Sequence, residues 1–327
     1  MKMRIASKYI PLLATAGVLA VLYVAGGLAY PGFFSLRVAK DLVGDNAFLG
    51  VAAVGATFVI LSGGIDLSVG AMVAFTSILV AALVGQHGVH PLAAVAIALA
   101  LGAAFGAAMG GLIHVFELPP FLVTLAGMFL ARGLGFIIYP QSLGIRHPLF
   151  VETINQTLAL PLTARVSVPF TAACFVAALG VAIFIAHLTR FGRNVYALGG
   201  DEASATLMGL PVGRTKVLVY TLAGFCSAAA GVVYTFYTQS GNPAACVGLE
   251  LDAIAAVVIG GTLLSGGVGY VGGTAMGVLI LGVIQTLITF QGNLNTWWTK
   301  IAVGLLVLVF ILLQNAVAAA GGRARNQ

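Results

Sequence analysis

Leu61-Ser62-Gly63-Gly64-Ile65-Asp66-Leu67-Ser68-Val69-Gly70 stops one apolar run and opens another. The same grammar returns late in the chain. Residues 53–70 (AVGATFVILSGGIDLSVG) align without gaps on 256–273 (AVVIGGTLLSGGVGYVGG), an offset of 203, and seven of the eighteen positions agree, LSGG among them. Two Ala/Val/Gly-rich runs can align by chance, but a contiguous LSGG at both breaks tells against it. Paired broken helices in two halves of a membrane protein point to a transport path.

Composition sets the class. The 327 residues are 60% hydrophobic and 7% charged, with mean hydropathy +1.08. No soluble domain of this size covers such a core with so few charges. An all-α polytopic membrane protein is predicted, with about ten transmembrane helices and a broken-helix internal repeat. The net charge of +6 is scattered, so it reads as anchoring at a membrane surface in contact with lipid, with no nucleic-acid patch. Cys174, Cys226 and Cys246 are isolated and read as core residues. There is no GxxxxGK[ST] phosphate loop, no HExxH and no enzyme-like Ser/His/Asp set. Catalytic and metal sites are therefore expected to be none.

Spans are predicted at about 9–29, 44–61, 69–85, 91–113, 119–138, 167–188, 217–238, 252–265, 270–290 and 298–316. An even number puts both termini on one side. That side holds Lys2, Arg4, Lys8, Arg190, Arg193, Arg214, Lys216, Arg323 and Arg325, against Arg37, Lys40, Arg146, Arg165 and Lys300. The bias places both ends in the cytoplasm, the loop at about 189–216 inside and the loop at about 139–166 in the periplasm. Arg132 falls within a span and is read as snorkelling to the outer headgroups. Gly102, Gly106 and Gly110 recur every four residues, as in close helix packing.

Asp45, Asp66, Glu117 and Asp252 sit at expected helix starts, where a carboxylate meets orphan N–H groups and the positive dipole end. Capping alone accounts for all four. Asp66 also has a second reading as a gate of the path, because its break falls about 24 Å along a helix counted from Asn46, short of a ~30 Å core. Charged residues at such depth pair or face water. Along that path Asn46, Thr57 and Thr124 offer hydrogen bonds, Phe48, Phe58 and Phe75 apolar walls, and Asp252 a further carboxylate. The two breaks, with Ser62, Gly63, Gly64, Gly266 and Gly267, are where it would open. Each of these residues also has a plain packing reading.

Arg190 to Gly209 (RFGRNVYALGGDEASATLMG) reads as an amphipathic element. Asp201 would cap a short helix, Ala203, Leu207 and Leu210 would form its apolar face, and Gly209 would end it. Together with SGGIDLSVGA (62–71), FGRNVYALGGDEASATLMG (191–209) and ELDAIAAVVIGGTLLSGGVG (250–269), this loop resembles the sugar permeases of bacterial ATP-binding-cassette importers, the group containing the ribose permease. NAFLGVAAVGATFVILSGGIDLSVG (46–70), LAGMFLARG (125–133), GGTLLSGGVG (260–269) and WWTKIAVG (297–304) resemble the galactofuranose-type permease within it.

The resemblance covers nearly the whole chain and implies one permease domain, residues 1–327, in the bacterial inner membrane. It implies a second permease, itself or a sister, an ATPase pair that binds ATP and Mg, and a periplasmic sugar-binding protein. No cofactor is implied in this chain. Gly192, Asn194, Ala197, Gly200, Asp201, Glu202, Ala203 and Gly209 would face the ATPase. The family's EAA-x-x-x-G spacing is departed from, since Gly209 comes one position late, which blurs the exact contacts. An ion-coupled secondary sugar transporter also uses broken repeats, but would want carboxylates deep in its spans and leaves the 190–209 loop unexplained.

Overall fold

A computed structural model describes residues 2–155, 158–159, 167–295 and 297–323. Among them lie fourteen helices: α1 Lys2–Ala29, α2 Leu36–Asp45, α3 Ala47–Leu61, α4 Val69–Gly85, α5 Pro91–Val115, α6 Pro120–Ile138, α7 Pro148–Asn155, α8 Phe170–Leu188, α9 Arg190–Gly200, α10 Glu202–Leu207, α11 Val212–Thr238, α12 Leu249–Ile259, α13 Val271–Gln291 and α14 Trp297–Arg323. Strands are confined to two-residue pairs. β1 (Leu143–Gly144) runs antiparallel to β4 (Ser240–Gly241), and β2 (Leu158–Ala159) to β3 (Ser167–Val168). The protein is all-α and polytopic. Arg165 and Arg325 of the charge count fall outside the described residues.

Seven helices are long and apolar enough to span a membrane, and α2 with α3, bent by 50°, can make an eighth. That is fewer than the ten predicted, because the breaks leave α4 at 17 residues and α12 at only 11. Gly260-Gly261 ends α12 at Ile259, six residues before the predicted boundary. The 189–216 loop also differs from its expected form. An 11-residue helix, α9, precedes α10, started by the Thr189 hydroxyl accepting from the Gly192 N–H.

α3 is the axis of the bundle. Apart from Thr57 its residues are apolar all round, and all but Phe48 are buried, as expected of a helix enclosed by others. α8, α11, α12 and α13 surround it. α5 lies along α11 through the predicted glycine stripe. A Cβ on Gly106 would stand 2.1 Å from the Tyr220 carbonyl oxygen, and one on Gly224 2.3 Å from the Gly102 carbonyl oxygen. The stripe is packing, and lets two backbones touch where lipid gives helices no hydrophobic reason to associate.

The four acids at expected helix starts divide. Asp45 is the last residue of α2, and Asn46 stands at the cap of α3 without a side-chain cap bond, its Nδ2 donating instead to the Leu42 carbonyl at 2.9 Å. Glu117 has a left-handed backbone (φ 51°), two residues before the Pro119 cap of α6. Asp252 lies in the first turn of α12, but its partner is Lys300 at 2.6 Å. Only Asp66 accepts a backbone N–H at a helix start, from Ser68 at 2.8 Å.

Candidate translocation path and coupling loop

Both broken helices end in the same way. Gly64 N–H donates to Val59 and Gly63 N–H to Ile60, each at 2.9 Å, with Gly63 at φ +81°. At the other break Thr262 N–H donates to Val257 at 3.2 Å and Gly261 N–H to Val258 at 2.9 Å, with Gly261 at φ +90°. Each is a Schellman stop, whose left-handed residue favours glycine. The equivalent glycines, 63 and 261, are therefore 198 apart, not the 203 of the sequence alignment. The second LSGG falls beyond its helix, in a turn closed by Gly266 N–H to the Leu263 carbonyl at 3.0 Å.

That turn rests on the first LSGG. Gly267 N–H donates to the Leu61 carbonyl at 2.9 Å. A Cβ on Gly266 would stand 2.7 Å from the Gly63 nitrogen. The end of α9 completes the junction, since a Cβ on Gly199 would lie 1.8 Å from the Leu61 oxygen and 2.6 Å from the Gly267 nitrogen. Three segments distant in sequence thus meet backbone to backbone, at a distance only glycine allows.

Two cavities lie at opposite ends of α3, whose 15 residues span about 22 Å. One, of about 580 Å³, is walled by Asp45, Asn46, Phe48, Tyr234, Asp252 and Gln285, among others. The other, of about 790 Å³, is bounded by Ser62, Gly63 and Gly64, by His114 and Glu117, and by Glu202, Lys216 and Tyr220. Both volumes fall in the usual range for small-molecule sites, roughly 300–1,000 Å³. Between them α3 is closed in. Thr57 Oγ1 hydrogen-bonds Thr274 Oγ1 at 2.8 Å, and Phe58 stacks on Phe191 with centroids 6.2 Å apart.

The residues proposed from sequence for the path therefore separate. Asn46, Phe48 and Asp252 wall the first cavity, and Ser62, Gly63 and Gly64 the second. Gly266 and Gly267 sit in the junction, whereas Thr57 and Phe58 are core. Phe75 lies on α4 where it meets Gly135 of α6. Thr124 Oγ1 reaches from α6 to the Ile65 carbonyl at 3.2 Å and so steadies the first break. Asp66 is 3% exposed. Its Oδ1 accepts from the Ser68 N–H and hydroxyl, while Oδ2 is buried without a hydrogen-bond partner. Arg132 is held by the chain itself. Its Nη1 donates to the carbonyls of Pro243 at 2.8 Å and Ala245 at 2.5 Å, clamping the loop that leads into α12.

On the loop expected from sequence to couple, Gly192 is buried against the Ala186 carbonyl, Asn194 and Ala197 are half-buried, and Gly200, Asp201, Glu202, Ala203 and Gly209 are exposed. Asp201 caps α10 as expected, accepting the Ser204 N–H at 2.5 Å. The hydrogen bonds from the Ser204 hydroxyl and N–H hold its carboxyl below the usual aspartate value. Gly209, at φ +75°, ends the element. The expected apolar face is corrected. Ala205 is the buried residue, and Leu207 and Met208 point outward at 88% and 68% exposure. Glu202 pairs with Lys216 at 2.6 Å, tying α10 to α11.

Sequence reading passed over Asp45, Tyr234, Gln285 and Lys300 as wall residues, and Gly199 as a contact of the breaks. Gln285 carried a signal, a lone amide within the apolar run LGVIQTLITF, and Gly199-Gly200 repeats the Gly-Gly of the breaks.

A buried broken helix between two end cavities, with a short helical loop on its break, defines a polytopic membrane transport subunit. Residues 40–312 match the family described as branched-chain amino acid transport system / permease component. The chain is 48% identical to the inner membrane ABC transporter permease protein YjfF of Escherichia coli (strain K12), covering 94% of this chain and 92% of that one. It is 40% identical to the fructose import permease protein FruG of Bifidobacterium longum (96% and 93% covered). To the ribose import permease protein RbsC of Escherichia coli (strain K12) the identity is 37% (87% and 88% covered). The chain belongs to this family of ABC transporter permeases, which includes the ribose import permeases.

Proposed function

We propose that the chain is the path-forming permease of an ATP-binding-cassette monosaccharide importer in a bacterial inner membrane, with both termini cytoplasmic. The substrate is galactofuranose or a similar furanose or hexose, a reading supported by the galactofuranose-type motifs and by relatives named for fructose and ribose import. A periplasmic binding protein delivers the sugar. A second permease, self or sister, completes the path, and a separate ATPase pair binds ATP and Mg. This chain contributes no catalytic residue.

The observation that carries the reading is the glycine junction. A loop that receives force at α9–α10 cannot move without moving both breaks, because Gly199 touches the Leu61 carbonyl and the Gly267 nitrogen directly. Closure of the ATPase pair presses on the exposed Leu207 and Met208. The junction passes that displacement to α3 and α13 together, and the bundle rocks between an outer and an inner opening. The second cavity, walled by Gly63 of the break and Glu202 of α10, is the inner exit.

The test is purification of the tagged chain from its native membrane in mild detergent, with mass spectrometry of its companions. The expected result is an ABC ATPase and a permease partner, with sugar uptake by the reconstituted assembly that requires ATP. A chain recovered alone that moves sugar in vesicles without ATP would be an ion-coupled carrier instead.

A further inference from the structure

We infer that the 580 Å³ cavity between α2, α3, α11, α12, α13 and α14 is a transit site where the permease itself binds a neutral monosaccharide, and so takes part in choosing the substrate. The inference rests on the importer reading above.

Its walls have two characters, as a sugar does. On one side Phe48 packs edge-on to Tyr234, with centroids 5.3 Å apart at 75°, and tilted against Tyr237 at 6.1 Å. Such an aromatic wall suits the C–H face of a sugar ring. On the other side stand Asp45, the amide of Gln285 and the hydroxyl of Thr299. Thr299 Oγ1 is buried and lacks a hydrogen-bond partner. An unpaired buried hydroxyl beside a cavity is costly unless something fills the need, and a sugar hydroxyl both donates and accepts.

Charge decides against the other class of cargo named by the family, a branched-chain amino acid. Such a ligand brings a carboxylate, which needs a free cation. Among the described residues of the wall Lys300 is the one cation, and Asp252 already engages it through both oxygens at 2.7 and 2.6 Å. Asp45 adds a further carboxyl to the same wall, and Asp41 another that faces Arg37 at 3.9 Å. A zwitterionic amino acid could set its ammonium on these acids but would leave its carboxylate desolvated without a free cation, whereas a neutral polyol has no such group to satisfy.

The site is also placed to be emptied by the breaks. Its floor runs from Cys246 to Leu249. A Cβ on Gly70, in the first turn after the first break, would lie 2.6 Å from the Cys246 carbonyl oxygen. Gln285 stands on α13, the helix that follows the second break. Movement at the junction therefore displaces the floor and one wall together, and a site that loosens as the path opens lets its solute pass.

The experiment reconstitutes the complete transporter in proteoliposomes with its binding protein, ATP and labelled D-ribose, D-fructose, D-galactose or L-leucine. For Asp45→Asn, Gln285→Leu and Thr299→Val we expect sugar moved per ATP hydrolysed to fall at least tenfold. Stimulation of ATPase by the loaded binding protein should stay within twofold of wild type, as should transport by a Thr221→Val control remote from the cavity. Variants that assemble normally and transport at the wild-type ratio overturn the site while leaving the importer reading intact. A wild-type complex that moves leucine and no sugar overturns both. Independently of variant folding, a cysteine placed at Val247, a 76% exposed wall residue, should react with maleimide at least twofold more slowly in millimolar transported sugar. No protection overturns the site.

Discussion

Gly199 is one carbon short of alanine, and that carbon has nowhere to go. Its absent Cβ would stand 1.8 Å from a backbone oxygen, and backbone cannot swing aside as a side chain can. Gly199→Ala is expected to cost about 1–3 kcal/mol, as overpacking does, and to uncouple uptake from ATP. Gly111→Ala, where nothing lies within 4 Å, should fall within about 0.5 kcal/mol of wild type. Thermal unfolding in detergent beside uptake in vesicles reads both. Asp201 gives a second residue-scale test. Its folded carboxyl titrates below the ordinary aspartate value of 3.8 because Ser204 bonds the charged form. The cap is therefore complete above 3.8 and is lost as pH falls through the lower folded value. Protection of the Ser204 amide from hydrogen exchange, relative to its intrinsic rate at each pH, should fall in that acid window in the wild type, with no such step in Asp201→Asn.

At the scale of elements, the stop of each broken helix is a left-handed glycine. Gly63→Ala and Gly261→Ala should each cost roughly 1–2 kcal/mol, the usual penalty for a side chain in that conformation, read as a lowered unfolding temperature. This is also where sequence and structure part most instructively. The LSGG repeat located both breaks, and the capping role of Asp201 and the glycine stripe on α5 were legible from spacing alone, because each depends on neighbours within four residues. The repeat misplaced the second stop by five residues, since Gly260-Gly261 ends α12 before its LSGG is reached. The contact between the two LSGG turns was illegible for another reason. It joins Leu61 to Gly267 across 206 residues, and no local periodicity encodes such a pairing. The cavity wall stayed hidden likewise, its members coming from six helices spread between residues 38 and 303. Gly106→Leu completes the element-scale tests. With the Tyr220 carbonyl 2.1 Å from the missing Cβ, the larger side chain must part α5 from α11, and loss of a monodisperse detergent-solubilised species is expected.

For the whole molecule, the importer reading needs its two cavities to open on opposite sides of the membrane. Val247 and Leu207 mark those ends, 76% and 88% exposed, the first in the wall of the 580 Å³ cavity and the second on α10. With Cys174, Cys226 and Cys246 replaced by alanine, a single cysteine is placed at one position or the other. In the proposed orientation, drawn from positive-inside charge, Arg190, Arg193, Arg214 and Lys216 of the α9–α11 region lie in the cytoplasm. An impermeant maleimide added to intact spheroplasts should therefore label Val247→Cys and leave Leu207→Cys untouched, and inverted vesicles should reverse the pattern. The reversal matters more than either half. Labelling of both positions from one side would put α10 and the sugar-facing cavity in the same compartment, where an ATPase docked on α10 could not drive solute between them.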